Sequence, residues 1–133
     1  MFTKSEICAQ LEKMGAPRDG VTLVHSSLRA VGEVENGGQG LLDALIEYFT
    51  AEGGLLCIAA HTWGFIRKDR ITLDMTLAES NLGALSRIAA ADQRAVRSEN
   101  PSHSMAVFGP RDRVRDFVSG EENLLSPTGP DSC

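Results

Sequence analysis

Between Gly53-Gly54 and His61 the chain runs through Leu55, Leu56, Cys57, Ile58, Ala59 and Ala60 without one polar side chain. A strand wetted on one face alternates apolar and polar residues, so a short unalternating run bounded by glycines is expected to be a buried strand. Val21-Thr-Leu-Val24 is a second run of this kind and stops at the polar group His25-Ser26-Ser27. Helical periodicity precedes each of these runs. Thr3 and Glu6 form a capping-box pattern ahead of Ile7, Leu11 and Met14, and Gly15 and Pro17 close that helix. Leu41, Leu42, Leu45, Ile46 and Phe49 share one side of a second helix that ends near Gly53-Gly54. The repeated order of helix, loop and strand points to a layered α/β domain rather than a bundle or a sandwich.

The remainder is read more coarsely. Gly37-Gly38-Gln39-Gly40 is expected to be a flexible connection, and Ile71–Leu73 a short strand. Asn81 is a candidate cap for a helix carrying Leu82, Leu85, Ile88 and Ala89. Ala95-Val96 and Ser104–Phe108 read as strands, and Pro110 as the opening of an amphipathic helix with Val114, Phe117 and Val118. Ser126-Pro-Thr-Gly-Pro-Asp-Ser-Cys133 has turn composition, so the chain is expected to stop in a loop.

Composition narrows the function classes. A length of 133 residues with 42% hydrophobic content suffices for one core. A net charge of −5 argues against a nucleic-acid surface, which needs clustered cations; it places the protein to attract a polycationic small molecule, and solubility accounts for the same charge. Cys8, Cys57 and Cys133 are odd in number and lack CxxC spacing, which suggests neither a disulfide framework nor a zinc knuckle and fits a reducing cytoplasm. The first residues do not read as a signal peptide, and no run approaches the length of a membrane span, so a soluble protein is expected.

Three polar groups are candidates for chemistry. His25-Ser26-Ser27, with Leu28, Arg29 and Gly32 in the first turns of a helix, could hold a phosphate or pyrophosphate on outward N–H groups and hydroxyls; equally, one serine could simply cap that helix. Arg97-Ser-Glu-Asn-Pro-Ser-His103-Ser104 lies between two apolar runs, and Pro101 restrains the backbone just ahead of His103. An imidazole there could accept a proton near neutral pH, or be an ordinary loop histidine. His61-Thr62-Trp63 adds another histidine, but with His25, His103 and Cys57 it matches no metal-ligand spacing. GxSxG and GxxxxGK[ST] patterns are absent, which removes support for a common serine hydrolase or a P-loop nucleotidase. Asp43, Glu47 and Glu52 read as a solvated helix face.

In chain order, LVHSSLRAVGEVENGGQGLLDAL, GGLLCIAAHTW, NLGALSRIAA, RSENPSHSMAVFG and SPTGPDSC resemble the aminoglycoside 3-N-acetyltransferase family. LVHSSLRAVG and NPSHSMAVFG carry the most weight because they occur together. The resemblance implies a layered α/β/α fold with a mixed, largely parallel central sheet, incomplete at its C-terminal side, with residues 1–133 as the amino-terminal part of one acetyltransferase domain. It implies an enzyme of antibiotic resistance that moves acetyl from acetyl-CoA to the 3-amino group of the 2-deoxystreptamine ring, without a metal. Carried over by position, His103 matches the family's catalytic histidine and Ser104 flanks the same cleft; attack on a thioester calls for an oxyanion donor, either the Ser104 hydroxyl or a loop N–H. His25, Ser26, Ser27, Leu28 and Arg29, with Arg97, match the CoA-binding part. Thr62 falls where a second loop approaches the substrate, and Asp69 and Asp74 are candidate carboxylates for its ammonium groups. Two departures stand out. Family members commonly run to about twice this length, so the resemblance implies a further half that supplies more of the sheet, a carboxylate orienting the histidine and much of the acceptor pocket. In addition, IAAHTW replaces a proline-and-threonine loop, with Gly64 where many relatives carry an acidic residue. The alternatives are an inactive CoA-binding module and an acetyltransferase for another amine.

Overall fold

The structure is a computed structural model that describes residues 1–65, 74 and 80–119. Helix α1 (Lys4–Lys13) starts on a capping box in which Thr3 and Glu6 satisfy each other's backbone N–H groups, as the sequence predicts. β1 (Val21–Val24) leads into a single helical turn, α2 (Leu28–Val31), which Gly32 ends at φ 94°. Helix α3 (Gly37–Thr50) precedes β2 (Leu55–Ala59), and a short 3₁₀ turn covers Trp63–Phe65. Helix α4 (Ala84–Ala91), β3 (Val96–Arg97), β4 (Met105–Phe108) and α5 (Arg111–Ser119) complete the described part.

The four strands form one sheet in the order β1-β2-β4-β3. β1 and β2 run parallel, with Val21 opposite Leu55, whereas β4 is antiparallel to both β2 and β3. The sheet is therefore mixed, and among the described strands two of the three pairings are antiparallel. Every residue of β2 is buried, as its unalternating sequence requires. Leu56 and Ile58 face the larger core with Leu42, Leu45, Phe49, Leu85 and Phe108. Leu55 and Cys57 face the other way, onto Val107 and Val114, with Phe117 and Val118 of α5 packed alongside. Helices on both faces make the layered α/β/α arrangement expected. Burial pushes the Cys57 thiol up to about 11, so it is an inert apolar side chain at neutral pH.

Two local expectations are corrected. The glycines of Gly37–Gly40 form the first turn of α3 rather than a flexible connection. A Cβ on Gly40 would lie 1.8 Å from the Glu35 carbonyl oxygen, and one on Gly38 would strike Ile88 and Leu28. These glycines thus permit close approach. Asn81 does not cap α4, whose N-cap is Gly83; its side chain instead accepts from the Gly64 N–H at 2.6 Å. The strand expected at Ile71–Leu73, and the turn-rich segment 126–133, lie outside the described residues. Among the described residues, no helix is long and apolar enough to cross a membrane.

Candidate functional site

Parallel pairing of β1 with β2 puts their carboxyl ends side by side, where loops from an α/β sheet commonly meet ligands. β1 ends at His25-Ser26-Ser27, which lines an open cleft of about 380 Å³ together with Leu82, Gly83, Leu85 and Ser86 at the start of α4. Ser27 heads α2, yet its side chain makes no capping hydrogen bond. The capping alternative therefore fails for Ser27, and its hydroxyl faces solvent. The cleft combines these serines with the amino end of α4, whose first N–H groups lack intrahelical acceptors and favour negative charge. Gly83 and Ser86 escaped the sequence reading; a glycine three residues ahead of a serine at a helix start was the signal available. Leu28 packs against the core beside Gly38, while Arg29 is exposed on α2.

The loop ahead of β4 is organised differently. Asn100 Oδ1 accepts from the backbone N–H groups of Ser102 at 3.1 Å and His103 at 2.8 Å, closing the turn after Pro101. Ser102 Oγ lies 2.7 Å from His103 Nδ1 and 3.1 Å from Asn100 Oδ1. The single Ser102 hydroxyl proton serves either Asn100 Oδ1 or His103 Nδ1; in the first arrangement the ring proton sits on Nδ1 and Nε2 is the acceptor nitrogen. His103 is half-buried, with no carboxylate on its ring among the described residues.

Around it, polar groups are turned inward. Ser104 is fully buried; its hydroxyl donates to the Ala60 carbonyl at 2.7 Å and accepts from Arg97 Nη2 at 2.8 Å. Arg97 Nη2 also donates to Ala60 at 3.0 Å, and burial pulls its pKa down. Thr62 is fully buried, donates to the Pro101 carbonyl at 2.7 Å, and takes the Ser102 carbonyl on its N–H at 3.1 Å. Ser98 accepts from the Met105 N–H at 3.0 Å. Ser104, Arg97 and Thr62, expected to meet an oxyanion, a cofactor and a substrate respectively, here tie β2, β3 and the loop together. Asp74 is exposed, and Asp69 lies outside the described residues.

The histidines converge across the strand ends. His61 and His103 rings sit 4.8 Å apart, and Trp63 lies 4.8 Å from His61 and 5.3 Å from His103. Burial first, then the charges of His103 and His25, hold His61 below its ordinary pKa. Among the described residues, no group of three His, Cys, Asp or Glu side chains is placed to hold a metal ion.

A sequence model described as aminoglycoside 3-N-acetyltransferase matches residues 23–133. Among solved structures, the fold is similar to aminoglycoside acetyltransferase AAC(3)-IVa as apoenzyme, at 29% identity and TM-score 0.81, covering 98% of this chain and 49% of that one. It is similar to AAC-VIa bound to sisomicin at 26% identity and TM-score 0.81, covering 98% and 53%. The binary complex of AAC-IIIb with CoASH matches at 19% identity and TM-score 0.78, covering 98% and 53%, a likeness of fold. The chain spans about half the length of these relatives.

Proposed function

The chain belongs to the aminoglycoside 3-N-acetyltransferase family, and from that premise we propose that the protein transfers acetyl from acetyl-CoA to the 3-amino group of a 2-deoxystreptamine ring. The observation that carries this reading is the cleft between His25–Ser27 and the amino end of α4. It offers hydroxyls and helix N–H donors to the phosphates of CoA, and His25, which lines it, lies near enough to His61 for its charge to act on that ring. The CoASH complex of AAC-IIIb and the sisomicin complex of AAC-VIa support the two ligand classes. A cytoplasmic, soluble setting suits a cosubstrate of this kind.

In the reaction the unprotonated amine attacks the thioester carbonyl, the C–S bond breaks, and the amine proton passes to a base while CoA leaves as thiolate. His103 is the proposed base, in the tautomer whose Nδ1 donates to Ser102 and whose Nε2 accepts the proton. A hydroxyl orients that ring but adds no negative charge, so the imidazolium is stabilised less than it would be beside a carboxylate. Because the Ser104 hydroxyl is committed to Ala60, a backbone N–H is the better oxyanion donor.

Calorimetry with CoA, followed by a thiol-release assay with gentamicin or kanamycin, tests the proposal. Binding with thiol release is expected; binding without it for any amine makes the protein a CoA-binding module, and release only with other amines moves the acceptor class. His103→Ala should lower turnover about 10²- to 10⁴-fold with CoA affinity nearly unchanged. Turnover near wild type would take the base role away from His103.

A further inference from the structure

Trp63, the only tryptophan in the chain, is 50% exposed although its backbone is closely held. The Gly64 N–H donates to Asn81 Oδ1, and the Asn81 N–H donates to the His61 carbonyl at 2.8 Å. On the other side Thr62 is tied to Pro101 and Ser102. A Cβ on Gly64 would come within 2.5 Å of Asn81, so glycine is what lets that clamp close. Successive residues of this stretch point opposite ways: Thr62 is fully buried, and Trp63 is turned out. Leaving much of an indole in water forfeits burial free energy, and a fixed backbone keeps it there.

The exposed indole stands beside His103 and rests on His61 at an interplanar angle of 42°. We infer that Trp63 is the acceptor-facing specificity residue of this site, its open π face receiving an ammonium-bearing ring next to His103 and so favouring amino sugars over uncharged acceptors. This inference rests on the acetyltransferase reading above and deepens it: the contact expected of Thr62 is made by its neighbour. The ring quadrupole attracts a cation held over its face. His61 Nδ1 is buried without a hydrogen-bond partner among the described residues, in keeping with an uncharged ring beneath the indole. An uncharged tray adds no repulsion to an arriving ammonium group, and the net charge of −5 favours its approach.

Emission from the sole tryptophan tests contact without relying on turnover. Titration with gentamicin should change Trp63 fluorescence saturably, whereas an uncharged sugar should not; no change with gentamicin would overturn the inference even if acetylation is observed. In steady-state assays Trp63→Ala should raise the gentamicin KM about five-fold or more, with kcat and CoA affinity within about two-fold, and Trp63→Phe should recover most of the loss. An unchanged KM in Trp63→Ala would also overturn it. Saturable fluorescence without acetylation would uphold the contact while removing the reaction, which separates failure of this inference from failure of the function.

Discussion

Residues 25–27 and residues 97–104 look alike as sequence, each a polar cluster next to an apolar strand. In the fold they are opposites. Ser26 and Ser27 line an open cleft, and Ser27 spends no hydrogen bond on its own helix. Ser98 and Ser104 are buried and bonded to neighbouring strands, with Arg97 clamped onto Ala60 and Ser104. Polar density therefore has two meanings. Where a strand simply ends and the chain turns into a helix, donors remain for a ligand; where a loop must cross between antiparallel strands, the serines at its two ends are consumed in holding the crossing, and His103 at its tip is left for the proposed chemistry.

Substitutions that separate stability from binding test this contrast, the largest effect coming from Arg97. Arg97→Ala removes a half-buried cation bonded to Ala60 and Ser104, and should destabilise the fold by about 2–4 kcal/mol in chemical denaturation while sparing CoA affinity. A large loss of CoA affinity in a folded Arg97 variant would restore the residue to the cofactor site. Thr62→Val keeps the shape but strands the Pro101 carbonyl, for an expected loss of about 1–2 kcal/mol. It should also lower turnover more than it changes the acceptor KM, because the lost bond steadies the turn that carries His103.

The next effect is read by pH. His61 is held below its ordinary value of 6.5, so on acidification the unfolded chain takes up that proton first. The associated stability is present above that value and is lost as pH falls through the folded pKa. Melting curves from pH 7 to pH 5 should show the wild type losing stability and His61→Phe losing less. Equal slopes would mean that burial and the neighbouring histidines do not hold His61 below its ordinary value. The smallest effect belongs outside both segments. Arg94 Nη2 binds Asp92 and Asp43, each at 2.6 Å, and holds Asp92 down to about 2 from 3.8. Its contribution is complete above the unfolded value and fades as pH falls toward 2; with Arg94 half-exposed and screened, Asp92→Asn should cost about 1 kcal/mol at neutral pH.

The sequence made the elements legible where periodicity is strong. The capping box of α1, the fully buried β2 and the helix after Pro110 all stand where pattern places them. Less legible was anything decided by a partner far along the chain. The glycines of Gly37–Gly40 read as flexible because the Glu35, Leu28 and Ile88 atoms that demand them appear only once α3 and α4 pack. Asn81 has a cap's chemistry but finds Gly64, seventeen residues earlier, instead of its own helix. Among candidate site residues, identity was readable and direction was not: Thr62 and Ser104 are inside, and Trp63, noted only as part of a histidine-containing triplet, is outside.

CoA affinity of a Ser26→Ala/Ser27→Ala double variant, measured by calorimetry beside Ser104→Ala, tests the contrast most directly. The double variant should keep its melting temperature and bind CoA about 10-fold more weakly or worse, while Ser104→Ala should melt earlier and bind CoA as before. A double variant that binds CoA like wild type, or a folded Ser104 variant that alone loses it, would contradict the proposed assignment of Ser26 and Ser27 to the cosubstrate and of Ser104 to the fold.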